Sequence, residues 1–197
     1  MTDTPPMLDF TLDGRPCQAR PGETVLQVAD RLGVAIPRLC HADGLRPDGN
    51  CRACVVEVQG ERALAASCCR AVQPGMVVHT DSPRARRSQR LVLELLLADL
   101  PEQGHAWLDG DAGRPHGELS DWAGRLAVQP RPELRALRRE APAPDTSHPA
   151  MAVHLDACIQ CTRCVRACRE LQVNDVIGLR GRGHGVQVVF DLGDPMG

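Results

Sequence analysis

Apolar positions alternate along Leu8-Asp-Phe-Thr-Leu12, the period of a strand with one face buried. Asp13-Gly14 is a hairpin turn signal, and Cys17-Gln-Ala-Arg20 returns as the second strand. Pro21-Gly22-Glu23-Thr24 then opens a short helix. Thr24 is its N-cap, Val25, Val28, Ala29 and Leu32 form one face, and Gly33 ends it. Beyond a Gly- and Pro-rich interval, Val55–Val58 and Arg62–Ala66 form a second hairpin about Gln59-Gly60. Met76–His79 supplies a last strand. The predicted order is β-β-α-loop-β-β-β.

The pattern changes at Ser82. Ser82-Pro83 is a helix start, and the helix runs through Arg84-Ala-Arg-Arg-Ser-Gln-Arg90 into Leu91-Val-Leu-Glu-Leu-Leu-Leu-Ala98. Its basic first turns oppose the helix dipole, which directs some of these arginines to a carboxylate or a partner, or leaves them as a solvated face. Its nearly continuous apolar half predicts burial on more than one side. Leu100-Pro101 stops it. Residues 102–117 are rich in Gly, Asp and His, Glu118–Leu126 reads as another helix, and the prolines of 129–149 predict a mostly extended linker around a helical piece at Glu133–Arg139. A helix over Val165–Gln172 follows. A short strand and Gly-rich turn fall within Asp175–Gly185, before a strand at Val186–Phe190.

Composition narrows the class. Aromatic residues make up 2% of the 197, so aromatic cores are scarce and small domains of this kind commonly need a metal staple. All 23 basic residues are arginine, which points to genomic base composition rather than to function. The net charge of −2, without a basic tail or interleaved aromatics, argues against nucleic acid as a partner. Met1-Thr-Asp-Thr-Pro-Pro has no apolar signal core, and the stretch Leu91–Leu100 is short and interrupted by Glu94 and Asp99. The expectation is therefore a cytoplasmic protein with no membrane insertion. Ten cysteines in such a chain favour metal ligation over disulfides.

The cysteines fall into two motifs. Cys40, Cys51, Cys54 and Cys68 have the spacing C-x10-C-x2-C-x13-C. Four converging thiolates hold either an iron–sulfur cluster or a zinc ion. Gly44, Pro47, Gly49 and Asn50 suit a backbone that curls round a bulky cofactor, whereas zinc needs only short knuckles, so a [2Fe-2S] cluster is favoured. The second motif, Cys158, Cys161, Cys164 and Cys168, is C-x2-C-x2-C-x3-C, the [4Fe-4S] run of bacterial ferredoxins. Its first three thiolates take three corners of one cluster, and the fourth points to a different cluster. A zinc knuckle from the same residues is the alternative. Cys17 reads as a small buried strand residue and Cys69 as packing beside a ligand. A mononuclear site at His105, His116, Asp109 and Asp111 competes poorly with a polar surface loop.

The element order with cysteines after the helix resembles the β-grasp fold of [2Fe-2S] ferredoxins. The ten-residue gap is similar to that of the large iron–sulfur subunit of NADH dehydrogenase. Together with Arg90-Leu-Val-Leu-Glu-Leu-Leu-Leu-Ala98 and Ser147 through Glu170, it resembles the front end of the alpha subunit of cytoplasmic NAD-dependent formate dehydrogenases containing molybdenum or tungsten. The resemblance runs from about Leu8 to Gly197. It implies an α+β chain: a β-grasp [2Fe-2S] domain over 1–82, a helical spacer and Pro-rich linker over 83–148, and a partial bacterial-ferredoxin-like [4Fe-4S] domain over 149–197. It also implies electron transfer between a formate-oxidising molybdopterin domain or subunit and flavin/NAD-binding, diaphorase-type subunits.

Two departures matter. The NADH dehydrogenase relatives carry H-x3-C-x2-C-x5-C in the middle region, yet no cysteine lies between Cys69 and Cys158 here. This favours formate dehydrogenases over complex I and over the small diaphorase subunit of NAD-reducing hydrogenases, the nearest rival. The end, Asp191-Leu-Gly-Asp-Pro-Met-Gly197, reads as the approach to a second cysteine motif, so the chain is expected to be a piece of a longer subunit. Cys168 would then be an orphan thiol open to alkylation. No catalytic residue, flavin fingerprint or nicotinamide fingerprint is found, and Gly181-Arg-Gly-His-Gly185 lies between strands rather than opening a helix. A free-standing ferredoxin-like carrier and a zinc-stapled interaction module remain as alternatives.

Overall fold

The computed structural model describes residues 6–101, 117–140 and 142–194. The chain divides into two compact units, Met1–His41 with Arg46–Val92, and Ala42–Leu45 with Leu93–Gly197.

The first unit holds a five-stranded sheet, one short helix and the first half of a longer one. Strands β1 (Leu8–Leu12), β2 (Arg15–Ala19), β3 (Val55–Val58), β4 (Ala65–Ala66) and β5 (Val77–His79) lie in the order β2-β1-β5-β3-β4. β1 pairs antiparallel with β2, Phe10 facing Cys17, and parallel with β5, Thr11 facing Val77. That central parallel pair, flanked by antiparallel hairpins and crossed by a helix, is the β-grasp topology. Alternation holds on β1, where Phe10 and Leu12 are buried. The predicted strand over Arg62–Ala66 is reduced to its last two residues.

Helix α1 (Val25–Arg31) begins with a capping box. Thr24 Oγ1 accepts from the Gln27 amide at 3.3 Å, and Gln27 Oε1 accepts from the Thr24 amide at 2.9 Å. Val25, Leu26, Val28 and Ala29 are buried, whereas Leu32, expected on that face, caps the helix C-terminus and is 46% exposed. Gly33 follows at φ +71°, the left-handed geometry expected at a helix end. The core joins Phe10, Leu12, Val25, Leu26, Val56 and Val78 to the thiols of Cys54 and Cys68.

Helix α2 (Pro83–Asp99) starts where Ser82 Oγ accepts from the Ala85 amide at 3.1 Å. Its basic start finds carboxylates: Arg86 pairs with Asp81 at 3.3 Å and Arg84 with Glu57 at 3.8 Å. Ala85, Gln89 and Leu93, spaced four apart, are buried along one side, and Ala98 is buried on the other. Leu91 and Leu95 are exposed, so the expected burial on more than one side is met only at Ala98.

The second unit holds α3 (Glu118–Arg125), with Leu119 and Ala123 buried, and the four-residue α4 (Pro132–Arg135). The stretch around α4 is fixed by arginines rather than left loose. Arg131 Nε meets Glu94 Oε1 at 2.6 Å, Arg135 Nη1 donates to Leu100 O at 3.0 Å, and Arg138 Nε donates to Asp99 O at 3.1 Å. Arg135 and Arg138 thereby satisfy carbonyls at the end of α2. Helix α5 (Arg163–Arg166) passes into a π-helical turn at Ala167–Gln172, and β6 (Ile177–Arg180) pairs antiparallel with β7 (Gln187–Phe190). Among the described residues no helix is long and apolar enough to cross a membrane.

Candidate metal centres

The first four cysteines stand in two pairs, and two backbone registers set one of them. The amides of Val25 and Leu26, unpaired within α1, donate to Arg70 O at 2.8 Å and Ser67 O at 3.1 Å, pinning the turn that carries Cys68. Val55 pairs with Ala66 across β3 and β4, and the Ser67 amide donates to Cys54 O at 3.1 Å. Cys54 and Cys68 are thereby set side by side, their sulfurs 3.4 Å apart. Cys40 and Cys51 form the other pair, with the Cys51 amide donating to Cys40 Sγ at 3.5 Å. Cys40, Cys54 and Cys68 are buried and Cys51 is half-buried.

Each pair shares a proton unequally. Cys51 is held down to about 6, first by the hydrogen bond from the Cys40 thiol and then by the Ala53 amide, against the cost of burial. Cys54 is held down to about 6 by the Cys68 thiol, with the Cys68 amide and the Ser67 hydroxyl adding to it. Their partners, Cys40 and Cys68, are pushed up because they keep the proton. One thiolate per pair is thus available near neutral pH, the form that binds metal.

Iron–sulfur chemistry fits this donor set. The thiols stand in two pairs, as two irons require, and among the described residues no three His, Cys, Asp or Glu side chains are grouped to hold one metal ion. The loop between Cys40 and Cys51 comes close to the sulfurs at Gly49, where φ is +64° and a Cβ would meet Cys69 Sγ at 3.0 Å. Cys69 itself is exposed, with its sulfur 3.6 Å from Cys68 Sγ. It is a rim thiol rather than the packing residue expected.

In the second motif Cys158 and Cys161 are half-buried, and the Gln160 amide donates to Cys158 Sγ at 3.4 Å. Cys164 is exposed as a residue, while its thiol is pushed up, by desolvation first and then by the charges on Cys161 and Cys158. The three thiols are near enough for Cys164 to feel the charge of the other two, but they are not drawn together into a three-ligand group. Cys168 is set apart on the π-helical turn and is 6% exposed, which contradicts the expectation of an accessible orphan thiol.

One feature of both motifs was not legible in the sequence. Arg52, Gln160 and Thr162 have φ of +57°, +55° and +61°, so each C-x2-C step has a left-handed residue that is not Gly, Asn or Asp. Such a residue costs about 1–2 kcal/mol and turns amides toward the sulfurs. His105, Asp109, Asp111 and His116 lie outside the described residues. Cys17 is half-buried on β2, its thiol donating to Arg15 O at 3.3 Å.

Comparison with known proteins agrees with these two sites. Residues 6–83 match the 2Fe-2S iron-sulfur cluster binding domain, and residues 148–196 match the ferredoxin-like domain of NADH-quinone oxidoreductase subunit 3. The mitochondrial NADH-ubiquinone oxidoreductase 78 kDa subunit of Candida albicans is 34% identical over 196 residues, covering 92% of this chain and 25% of that protein. The mitochondrial NADH dehydrogenase [ubiquinone] iron-sulfur protein 1 of Solanum tuberosum is 33% identical over 183 residues, covering 92% of this chain and 24% of that one. The chain thus spans a quarter or less of the length of these curated relatives. A chain of the H2-reduced NAD+-reducing [NiFe]-hydrogenase superposes with a TM-score of 0.75 at 30% identity, over 96% of this chain and 79% of that one.

Proposed function

Because the chain belongs to the iron–sulfur subunit family that NADH-quinone oxidoreductases share with NAD+-reducing hydrogenase, we propose that it serves an NAD-linked oxidoreductase of the formate dehydrogenase type. The family establishes an electron-transfer segment with a [2Fe-2S] and a [4Fe-4S] cluster, each of which supplies one-electron transfer when bound. We assign Cys40 and Cys51 to one iron of the first cluster and Cys54 and Cys68 to the other. Cys158, Cys161 and Cys164 are assigned to the second cluster, and Cys168 to a further cluster. Residues 1–82 and 149–197 are then the two redox domains and 83–148 the spacer that holds them.

The observation that carries the assignment is the pairing of thiols, Cys54 with Cys68 and Cys40 with Cys51. The protein's own part is to desolvate these sulfurs, supply amides to them and place their carrier segments within the core. The formate-linked partner, a molybdopterin domain or subunit with a flavin/NAD subunit, is supported by the lack of cysteine between Cys69 and Cys158. A subunit of an NAD-reducing hydrogenase is the second reading, supported by the superposition with that enzyme.

Two measurements test this. The full chain purified anaerobically should hold both clusters and, once reduced, give a rhombic [2Fe-2S] EPR signal and a faster-relaxing [4Fe-4S] signal. Stoichiometric zinc without iron would overturn the cluster assignment. The native complex, purified through a tag on this chain, should reduce NAD+ with formate and not with H2. The opposite preference would replace the formate reading with the hydrogenase one.

A further inference from the structure

We propose that Arg139, within the stretch that the sequence presents as a spacer, is a positioning residue of the [4Fe-4S] site. It would hold the Cys158 segment in place and offset the negative charge gathered by the thiolates. Its Nη2 donates to the carbonyl of Cys158. Its Nε is buried with no hydrogen-bond partner, and among the described residues no carboxylate forms an ion pair with its guanidinium. Arg139 as a residue is half-buried, but a cation whose Nε–H is buried and unused is favoured by a negative charge nearby. Next to Cys158 in sequence, the carboxylate of Asp156 is engaged by His154 Nδ1 at 2.7 Å, which leaves the three cysteine sulfurs, anionic once they bind iron, as the counter-charge for Arg139.

The position of Arg139 is not accidental to a flexible linker. Its amide donates to Asp99 Oδ1 at 3.4 Å, while the preceding Arg138 donates to the Asp99 carbonyl at 3.1 Å. The backbone is thus tied to the end of α2 while the side chain reaches the cysteine loop. A guanidinium held this way raises the potential of an adjacent cluster, since net charge and hydrogen bonding around the sulfurs set that potential. Charge-assisted hydrogen bonds have the strength needed for a tenfold effect.

The inference rests on the [4Fe-4S] assignment above, and the experiment separates the two. In the full chain, Arg139→Gln and Arg139→Lys are compared with wild type by iron analysis and EPR-monitored redox titration. The expected result is that Arg139→Gln keeps the cluster but lowers its reduced-to-oxidised ratio about tenfold at fixed poise, equivalent to 59 mV for one electron. Arg139→Lys should recover most of that shift, and the [2Fe-2S] potential should not move. If Arg139→Gln loses the cluster, retention in Arg139→Lys still supports a role for the charge, whereas loss in both variants overturns it. An unshifted potential in Arg139→Gln, or equal shifts in both variants, also overturns it. A wild-type chain without a [4Fe-4S] signal would instead refute the underlying assignment.

Discussion

Gln89, buried in the middle of α2, donates from Nε2 to Val55 O at 2.9 Å and to Thr80 O at 3.2 Å. Val55 follows Cys54 directly, so one amide ties the helix, the cysteine hairpin and the end of β5 together. Removing it strands two buried carbonyls, at about 1–3 kcal/mol for a buried polar group left unpaired. Gln89→Ala should lower the thermal midpoint of the holo-chain and speed iron loss to a chelator. Iron release at the wild-type rate would show that the hairpin is held without Gln89.

Gly49 tests what the loop demands of its backbone. Its φ of +64° is costly for any residue with a Cβ, by about 1–2 kcal/mol, and that Cβ would also meet Cys69 Sγ at 3.0 Å. The sulfur is the free end of an exposed side chain and can rotate away, so the backbone term should dominate. Gly49→Ala should destabilise the chain by about that amount, and adding Cys69→Ala should recover little of it. Recovery of most of the loss in the double variant, measured by denaturant midpoint, would make the contact and not φ the cause.

Much of this fold could be read from patterning because its signals are local. Thr24 with Gln27 spells a capping box, Ser82-Pro83 a helix start, and the two cysteine spacings their own clusters. What escaped depends on contacts between distant residues. Ala63 and Leu64 fall opposite Val58 and Glu57 in the β3–β4 register, yet the ladder does not continue there and β4 keeps only Ala65 and Ala66. Leu32 fits the helical stripe, yet the chain leaves the helix there. Arg139 lies in a proline-rich stretch, and nothing local announces that it reaches Cys158 across nineteen residues.

The left-handed residues give a prediction in the opposite direction from most substitutions. Arg52 is exposed at φ +57°. Glycine adopts this geometry freely, while a β-branched residue is penalised most. Arg52→Gly should therefore match or exceed wild-type stability, the gain being limited by glycine's extra entropy in the unfolded chain. Arg52→Val should lose about 1–2 kcal/mol. Denaturant melts of the two variants, followed by cluster absorbance, decide it. A less stable Arg52→Gly would mean that the arginine side chain contributes more than its backbone costs.

Thiol accessibility provides the last test, because it separates Cys168 from the cysteines around it. Alkylation requires a solvent-reached thiolate, so burial slows it by the cost of opening the structure. Cys69 is exposed, Cys17 is half-buried with its thiol engaged by Arg15 O, and Cys168 is 6% exposed on the π-helical turn. Iodoacetamide applied to the holo-chain should label Cys69 first, Cys17 next and Cys168 last, with the assigned cluster ligands protected while iron is bound. Denaturant should bring all ten cysteines to similar rates. Peptide mass spectrometry over a time course reads the order directly. If Cys168 reacted as fast as Cys69 in the folded chain, the π-helical turn would have to open readily, and the segment from Ala167 to Gln172 would be a locally unfolding element rather than a packed one.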